Sequence, residues 1–440
     1  MSASPRLSDT AAVTRKWQWV LKKIVSKIWV KASFYAVLGI ASAFLALIVK
    51  PYLPADIGAK MGTDSVEAIL TIIASSMLAV TIFSLGIVVS AFTGAASQIT
   101  PRAAQLLMDD TSSQTTLATF LGAFLYSLVG IIALKAGIYG DSGRLVLFVV
   151  TVAVVIVIFI TFIRWIEILS RFGRMGDTLS RIESAATAAL DARILSPFLG
   201  GNPFRGNLPD GAHSLRTSRI GYVQHIDIQK LSHIAEEQEV DLTLEALPGS
   251  FVHRASSLAF VFAGKNGASL SPELEERITS AWSIGEARDF EQDPRFGLIV
   301  LAEVASRALS PAVNDPGTAI DILGRGVRIL SRWTDHEPVD VLYPRLSVAA
   351  LQLDDFFDDL FRPIARDGAK LVEVQIRLQK ALLALAQVDQ KTFLIAAQRH
   401  SREALLRAEK SLSLEWEVEE LARVAAEIDS LERNGRPPEI

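Results

Sequence analysis

The sequence contains no cysteine among its 440 residues. This absence excludes disulfide bonds, thiolate metal sites and a cysteine nucleophile. Histidine is scarce as well: six are present, and their spacing matches no standard pattern of metal ligands. The sequence also lacks a G-x-S-x-G motif, a phosphate-binding glycine loop with its lysine, and an H-E-x-x-H motif. We therefore expect a protein that is not an enzyme and that holds no metal and no cofactor.

Charge is distributed unevenly between the two halves of the chain. Residues 1–200 contain 17 Lys and Arg against 11 Asp and Glu, whereas residues 201–440 contain 27 against 37. Binding to the phosphates of nucleic acid requires clustered Lys and Arg, which the acidic second half does not offer. We therefore expect no nucleic acid among the partners of this chain.

Four stretches in the first 165 residues carry no charged side chain. A bilayer core of about 30 Å requires about 20 apolar residues of helix, so the sequence predicts four transmembrane helices. Because no charge lies within a stretch, a proton relay or a voltage sensor built on intramembrane charges is not expected. The four stretches are Ala32–Val49, Ala68–Pro101, Thr111–Leu134 and Leu145–Ile163.

Lys and Arg residues around these stretches predict their orientation. Seven of them lie in residues 1–31 and four lie between Arg164 and Arg181, whereas the first and third loops hold only two each. Because positively charged flanks stay on the cytoplasmic side, the N-terminus and the C-terminal domain are both predicted to be cytoplasmic. The expected location is the bacterial inner membrane, crossed several times. Residues 1–31 fit either a basic amphipathic helix on the membrane surface or a simple basic flank.

Small and hydroxyl-bearing residues recur along the second stretch at spacings of three and four, with an interruption near Ile82. This spacing places them roughly on one helix face. Two interpretations remain open: close packing against another helix, for which small residues are the usual device in lipid, or the lining of a water-filled pore in an oligomer. The residues are Ser76, Ala79, Gly86, Ser90, Thr93, Gly94 and Ser97.

The rest of the chain predicts an α+β domain in the cytoplasm. Residues 166–215 are expected to form a helical extension and a linker rich in Gly and Pro. Residues 216–265 predict a small β-rich subdomain, since short apolar runs alternate there with turn signals. Residues 266–440 predict a helical region. The fold class is thus membrane α-helical over residues 32–165, followed by a cytoplasmic α+β domain.

The run ALSPAVNDPGTA at 308–319 is the densest polar segment of the second half. Ser310, Asn314, Asp315 and Thr318 are predicted to lie on a tight connection between two helices. Asp followed by Pro is typical of a helix N-terminus, and Ser310-Pro311 repeats this arrangement. The four residues are either a ligand or ion site at paired helix N-termini, which offer free N–H groups, or a pair of structural caps.

Several segments together resemble one family of bacterial predicted membrane proteins, catalogued as a domain of unknown function. The resemblance covers roughly residues 30–400 and implies four N-terminal spans and a cytoplasmic domain. It implies no catalytic residue. The segments that carry it are SSMLAVTIFSLGIVVSAFTGAASQITPR and TFLGAFLYSLVG in the apolar part, and GYVQHIDIQKL, PGSFV, RDFEQDPRFGLIVLAEVASR and ALSPAVNDPGTA in the second half.

Two functions fit this pattern. The first is a homo-oligomeric channel or transport protein with a cytoplasmic regulatory domain. It rests on the small residues of the second stretch, because four spans leave little room for a pore within one chain. The second is a membrane-anchored sensor or scaffold whose cytoplasmic domain binds a ligand or a protein. The lipid bilayer is the partner common to both.

Overall fold

A computed structural model describes residues 30, 33, 34, 37, 40, 41, 63–108, 111–137, 140–171, 174–204, 206, 208, 211–263, 271–333 and 340–434. The chain divides into two compact units, with the boundary between Thr178 and Leu179. We call the described residues up to Thr178 the membrane unit and those from Leu179 the second unit. The predicted surface helix at 1–31 and most of the predicted first span at 32–49 lie outside the described residues.

The membrane unit is helical throughout its described part. Its helices are α1 (Thr63–Gln98), α2 (Pro101–Met108), α3 (Thr111–Lys135) and α4 (Gly140–Arg171). Among the described residues, three segments are long and apolar enough to cross a membrane: Ser65–Gly94, Ser112–Lys135 and Arg144–Ser170. They coincide with the second, third and fourth predicted spans. The count of four spans stays a prediction.

Helix α3 lies between α1 and α4 and is the most buried of the three. Phe120, Ala123 and Tyr126 of α3 are fully buried in the core of the unit. Two hydrogen bonds between polar side chains join the helices within this apolar core, which is how polar groups are accommodated in lipid. The Tyr126 hydroxyl lies 3.1 Å from the Thr151 hydroxyl of α4. A second such bond joins α4 to α1.

The second unit begins with a helix and continues into two small sheets. Helix α5 (Met175–Leu195) starts just before the boundary between the units. A five-stranded sheet has the order β1-β8-β4-β6-β2, and a three-stranded sheet has the order β5-β3-β7. The strands are β1 (Asn202–Pro203), β2 (His213–Arg216), β3 (Gly221–Ile226), β4 (Val240–Leu244), β5 (Phe251–Val252), β6 (Ser257–Ala263), β7 (Trp282–Gly285) and β8 (Leu346–Val348); helices α6 (Ile228–Glu237) and α7 (Pro272–Thr279) lie among them.

The sheets extend beyond the β-rich segment predicted at 216–265. Strands β7 and β8 lie in the region predicted as helical, and β1 lies in the predicted linker. There, Leu199 is buried in the core of the sheets, and Asn202 pairs in parallel with Ser347 of β8. Residues 199–204 are therefore part of the folded second unit and not a linker. Strands of two to four residues are too short to show the alternating pattern by which a strand is read from sequence.

A bundle of helices completes the second unit. Its core is rich in aromatic residues, since Phe356, Phe357, Phe361 and Phe393 are all fully buried. Helix α5 packs closely on this part, because a Cβ added to Gly297 would overlap Ala186. The helices are α8 (Phe296–Ala308), α9 (Pro316–Leu330), α10 (Leu353–Asp367), α11 (Val372–Val388), α12 (Gln390–Glu409) and α13 (Glu415–Asn434).

Candidate functional site

The small residues predicted on α1 are mostly exposed in the membrane unit. Ser76, Ala79, Gly86, Ser90 and Thr93 are exposed, and we call these five residues the small-residue stripe. None of the described residues lies within 4 Å of a Cβ built on Gly86. The stripe is thus not used for packing among the described helices. Gly94 is half-buried, and the side chain of Ser97 lies outside the described part.

Hydroxyl groups of the stripe donate to carbonyls of their own helix. Ser76 Oγ donates to the Ile72 carbonyl at 2.6 Å, and Thr93 Oγ1 donates to the Val89 carbonyl at 2.9 Å. This bond satisfies the hydroxyl proton within α1, so the helix can be stable in lipid. The oxygen of each hydroxyl retains the capacity to accept a further hydrogen bond.

The loop at 308–319 brings its four predicted residues together on an exposed connection between α8 and α9. Asp315 caps α9 as expected: its carboxylate accepts from Thr318 N at 3.1 Å and from Thr318 Oγ1 at 2.6 Å, and Pro316 follows in the first turn. Asn314 has a φ of +52°, a left-handed conformation that Asn tolerates. A ligand role for the four residues stays a prediction.

Ser310 differs from its predicted role as a second helix start. Its hydroxyl donates to the Arg307 carbonyl at 2.6 Å, so the residue closes the end of α8. Its own carbonyl accepts from the N–H groups of Val313 and Asn314, which forms a turn and no helix after Pro311. A Ser-Pro pair suits a turn that follows a helix as well as the start of a helix, and here it forms the turn.

A buried cluster of polar residues, absent from the predicted sites, centres on Asp293 at the start of α8. Asp293 is 2% exposed. Its carboxylate accepts from Arg288 Nε at 2.7 Å and from the backbone N–H groups of Arg295 and Phe296 at 3.1 and 3.2 Å. Burial raises the pKa of Asp293, and the hydrogen bond from Arg288 opposes that rise. The carboxylate acts as an anchor for the first turn of α8.

Strand β3 runs beside this cluster. Gln292 Oε1 accepts from the backbone N–H of Ile226 at 3.0 Å. Further along β3, Gly249 N donates to the Val223 carbonyl at 2.9 Å. Gly249 has a φ of +91°, and a Cβ at this position would overlap the Asp293 carboxylate. The site therefore requires glycine, both for its backbone conformation and for the close approach of Asp293.

Arg193 joins the cluster from the last turn of α5. It is 4% exposed, and its Nε and Nη2 atoms have no hydrogen-bond partner. Burial lowers the pKa of Arg193 to about 10, and the charge of Asp293 acts against that decrease. The guanidinium is thus still protonated at neutral pH. We call Arg193, Arg288, Gln292 and Asp293 the Asp293 cluster.

The sequence matches the family described as "Predicted membrane protein (DUF2254)" over residues 25–384. The chain belongs to this family. Among its relatives are an uncharacterised protein of Mycobacterium bovis and an uncharacterised protein of Mycobacterium tuberculosis. Each is 24% identical over 321 residues, which are 69% of this chain and 60% of the relative. The chain thus spans about 60% of the length of these relatives. No solved structure matches it.

The Asp293 cluster lies wholly within the part of the chain that matches DUF2254. Three separated segments that resemble the family meet there: GYVQHI forms β3, PGSFV holds Gly249, and RDFEQDPR holds Arg288, Gln292 and Asp293. Their shared presence in the resemblance was the signal that could have located the cluster from sequence. Arg193 gave no such signal, since it looks like an ordinary arginine of an amphipathic helix.

Proposed function

We propose that this DUF2254 protein is a homo-oligomeric channel or transport protein of the bacterial inner membrane, with the second unit as its cytoplasmic regulatory domain. One observation carries the proposal: the small-residue stripe is exposed on the membrane unit. Several copies of the chain would place this stripe toward a common axis.

The two sides of α1 support this arrangement. The side against the other described helices holds buried residues such as Leu70, Ile73 and Met77, a normal apolar packing surface. The small-residue stripe lies outside that surface, beside exposed apolar residues such as Ile82 and Phe83, which suit lipid. Small residues allow another helix or water to approach the backbone of α1 closely. The hydroxyl oxygens of Ser76 and Thr93 then offer acceptors to a permeating species.

Conductance in a planar lipid bilayer tests the proposal. The full chain is purified, its oligomer is weighed by native mass spectrometry, and unitary currents are compared for wild type, Ser90→Leu and Gly86→Leu. Val89→Leu is the matched control, because Val89 is exposed on the same helix next to the stripe. We expect discrete currents that both stripe variants reduce or abolish and that the control leaves unchanged. Silent bilayers from a folded oligomer would contradict the channel.

A second function, a membrane-anchored sensor or scaffold, is favoured by the Asp293 cluster. A buried, charged and partly unpartnered site in the second unit is the kind of feature that binds a ligand. In this alternative the membrane helices only localise the chain. Silent bilayers combined with specific ligand binding by the full chain would favour it over the channel.

A further inference from the structure

Three arginines of the second unit bind a carboxylate in the same way. Each donates from Nε and from Nη2, the two nitrogens on one edge of the guanidinium, to the two oxygens of one carboxylate. This fork geometry gives strong and directional pairs. The pairs are Arg295–Asp359 at 2.7 and 3.1 Å, Arg328–Glu183 at 2.6 and 3.0 Å, and Arg366–Asp367 at 2.6 and 2.8 Å.

Arg193 presents the same edge without a carboxylate. Its Nε and Nη2 atoms are the two that lack a hydrogen-bond partner, and the residue is 4% exposed. The nearest candidate within the Asp293 cluster is Asp293 itself, but both of its oxygens already accept other donors, from Arg288 and from the backbone of α8. Asp293 therefore acts on Arg193 only through its charge.

The charge balance around Arg193 favours an anion with a single negative charge. Arg193 and Arg288 are positive and Asp293, when ionised, is negative, so the three groups together carry one positive charge. A buried charge without a hydrogen-bonded partner is costly to keep in a folded protein. A carboxylate would neutralise the excess and satisfy both nitrogens at once.

Two further buried groups, on residues close in sequence to Arg193 and Asp293, lack partners. The hydroxyl of Ser196, one turn after Arg193, is buried and has no hydrogen-bond partner. The side-chain amide nitrogen of Gln292, the residue before Asp293, is also without a partner, although Gln292 Oε1 accepts from the backbone N–H of Ile226. Both can donate to an oxygen atom. Buried polar groups in folded proteins are normally satisfied, so these two unsatisfied donors, together with the unsatisfied guanidinium edge of Arg193, favour a binding site.

We propose that the Asp293 cluster binds a small molecule bearing a carboxylate, which Arg193 holds through its Nε and Nη2 edge. Ser196 and Gln292 are positioning residues that supply further donors to the ligand. This assignment deepens the regulatory role given to the second unit. It does not depend on conduction, so silent bilayers leave it intact.

The probe is acetate, and the readout is the thermal stability of the full chain in detergent. The protein is first exchanged into chloride buffer, and native mass spectrometry confirms that no small molecule stays bound. Sodium acetate and sodium chloride are then titrated at matched ionic strength. For wild type we expect a saturable rise in Tm with acetate only, of about 3 °C at a tenfold excess over Kd.

Arg193→Met and Arg193→Lys separate a ligand site from a structural role. Arg193→Met should lose the acetate response and, without acetate, should melt at a higher temperature than wild type, because a costly buried charge is gone. Arg193→Lys keeps the charge but not the fork, so half-saturation should require at least about tenfold more acetate. Arg366→Met is the matched control, since the exposed Arg366 uses the same edge on the half-buried carboxylate of Asp367; it should respond as wild type does.

Three results would overturn the proposal. The first is a wild-type Tm that responds to acetate no more than to chloride. The second is an acetate response that persists undiminished in Arg193→Met, or in Arg193→Lys if the methionine variant does not fold. The third is a larger response to inorganic phosphate than to acetate that is lost in these variants, which would replace the carboxylate with a phosphate ligand.

Discussion

The indole N–H of Trp165 in α4 donates to the hydroxyl of Ser84 in α1 at 2.9 Å, and both side chains are buried. The bond joins two helices that flank α3. Interhelical bonds of this kind contribute about 0.6 kcal/mol on average and at most about 1.7 kcal/mol. It is therefore a modest but specific link within the membrane unit.

Replacing Trp165 with Phe should reduce stability by about 1 kcal/mol, since the hydrogen bond and part of the indole packing are lost. The measurement is a double-mutant cycle with Ser84→Ala in detergent or bicelles, with the interaction energy taken from the four proteins. An interaction energy indistinguishable from zero would show that the bond contributes nothing.

Asp315 variants can separate the cap from a ligand site in the loop at 308–319. Asp315→Ala should lower stability by about 1 kcal/mol because α9 loses its cap, whereas Asp315→Asn should cost only a few tenths, since Asn caps nearly as well. The free energy of unfolding and the conductance are measured for both variants. Altered conductance in Asp315→Asn at unchanged stability would favour a site; parallel losses would favour a cap alone.

Gly249→Ala should be severely destabilising, by more than about 2 kcal/mol. The φ of +91° disfavours any side chain, and the added Cβ would also overlap the Asp293 carboxylate. Gly211→Ala is the control, because Gly211 has a φ of +84° but no described residue within 4 Å of an added Cβ. Denaturant unfolding of both variants isolates the contribution of the close contact. Equal losses would mean that Asp293 moves aside easily.

The contact of α5 with α9 should depend on pH. A hydrogen bond from Arg328 lowers the pKa of Glu183, and the charges of Arg328 and Arg325 add to this effect. Because the pKa of Glu183 is lower in the folded than in the unfolded chain, its ionised form stabilises the folded state at pH values above the unfolded pKa of about 4.3. This stabilisation is lost as the pH falls through the pKa of the folded state. Thermal melts between about pH 5 and pH 3 should therefore show a smaller decrease in Tm for Glu183→Gln than for wild type.

Glu419→Gln is the matched control for that measurement, because Glu419 is an exposed glutamate on α13. Its melts should follow those of wild type at every pH. If Glu183→Gln also follows wild type between pH 5 and 3, the pairing with Arg328 does not contribute to acid stability.

Sequence reasoning succeeded where one physical requirement dominates. The apolar helices α1, α3 and α4 could be predicted from their charge-free runs, because a bilayer excludes charged side chains over a fixed length of helix. The capping role of Asp315 could be predicted because Asp followed by Pro favours the start of a helix through local contacts alone. Neither inference required knowledge of which distant residues meet.

The parts that sequence reasoning missed depend on distant contacts. Strand β7 has only four residues and is a strand because β3 lies beside it, with Val223 opposite Ile284. Arg193 is buried on α5, a helix that approaches α8 closely where Gly297 meets Ala186. No local pattern distinguishes Arg193 from Arg181, the other arginine of α5, so the place of Arg193 in the Asp293 cluster emerges only in the folded chain.

The parallel pairing of β1 with β8 has a consequence for synthesis of the protein. Asn202 donates its amide to the Pro344 carbonyl, 142 positions later, so the five-stranded sheet is complete only after Val348 has left the ribosome. By then the apolar helices have long been translated. A chain arrested before Leu346 would leave β4 as an open edge, since β8 is its neighbour, and such edges pair readily with other chains.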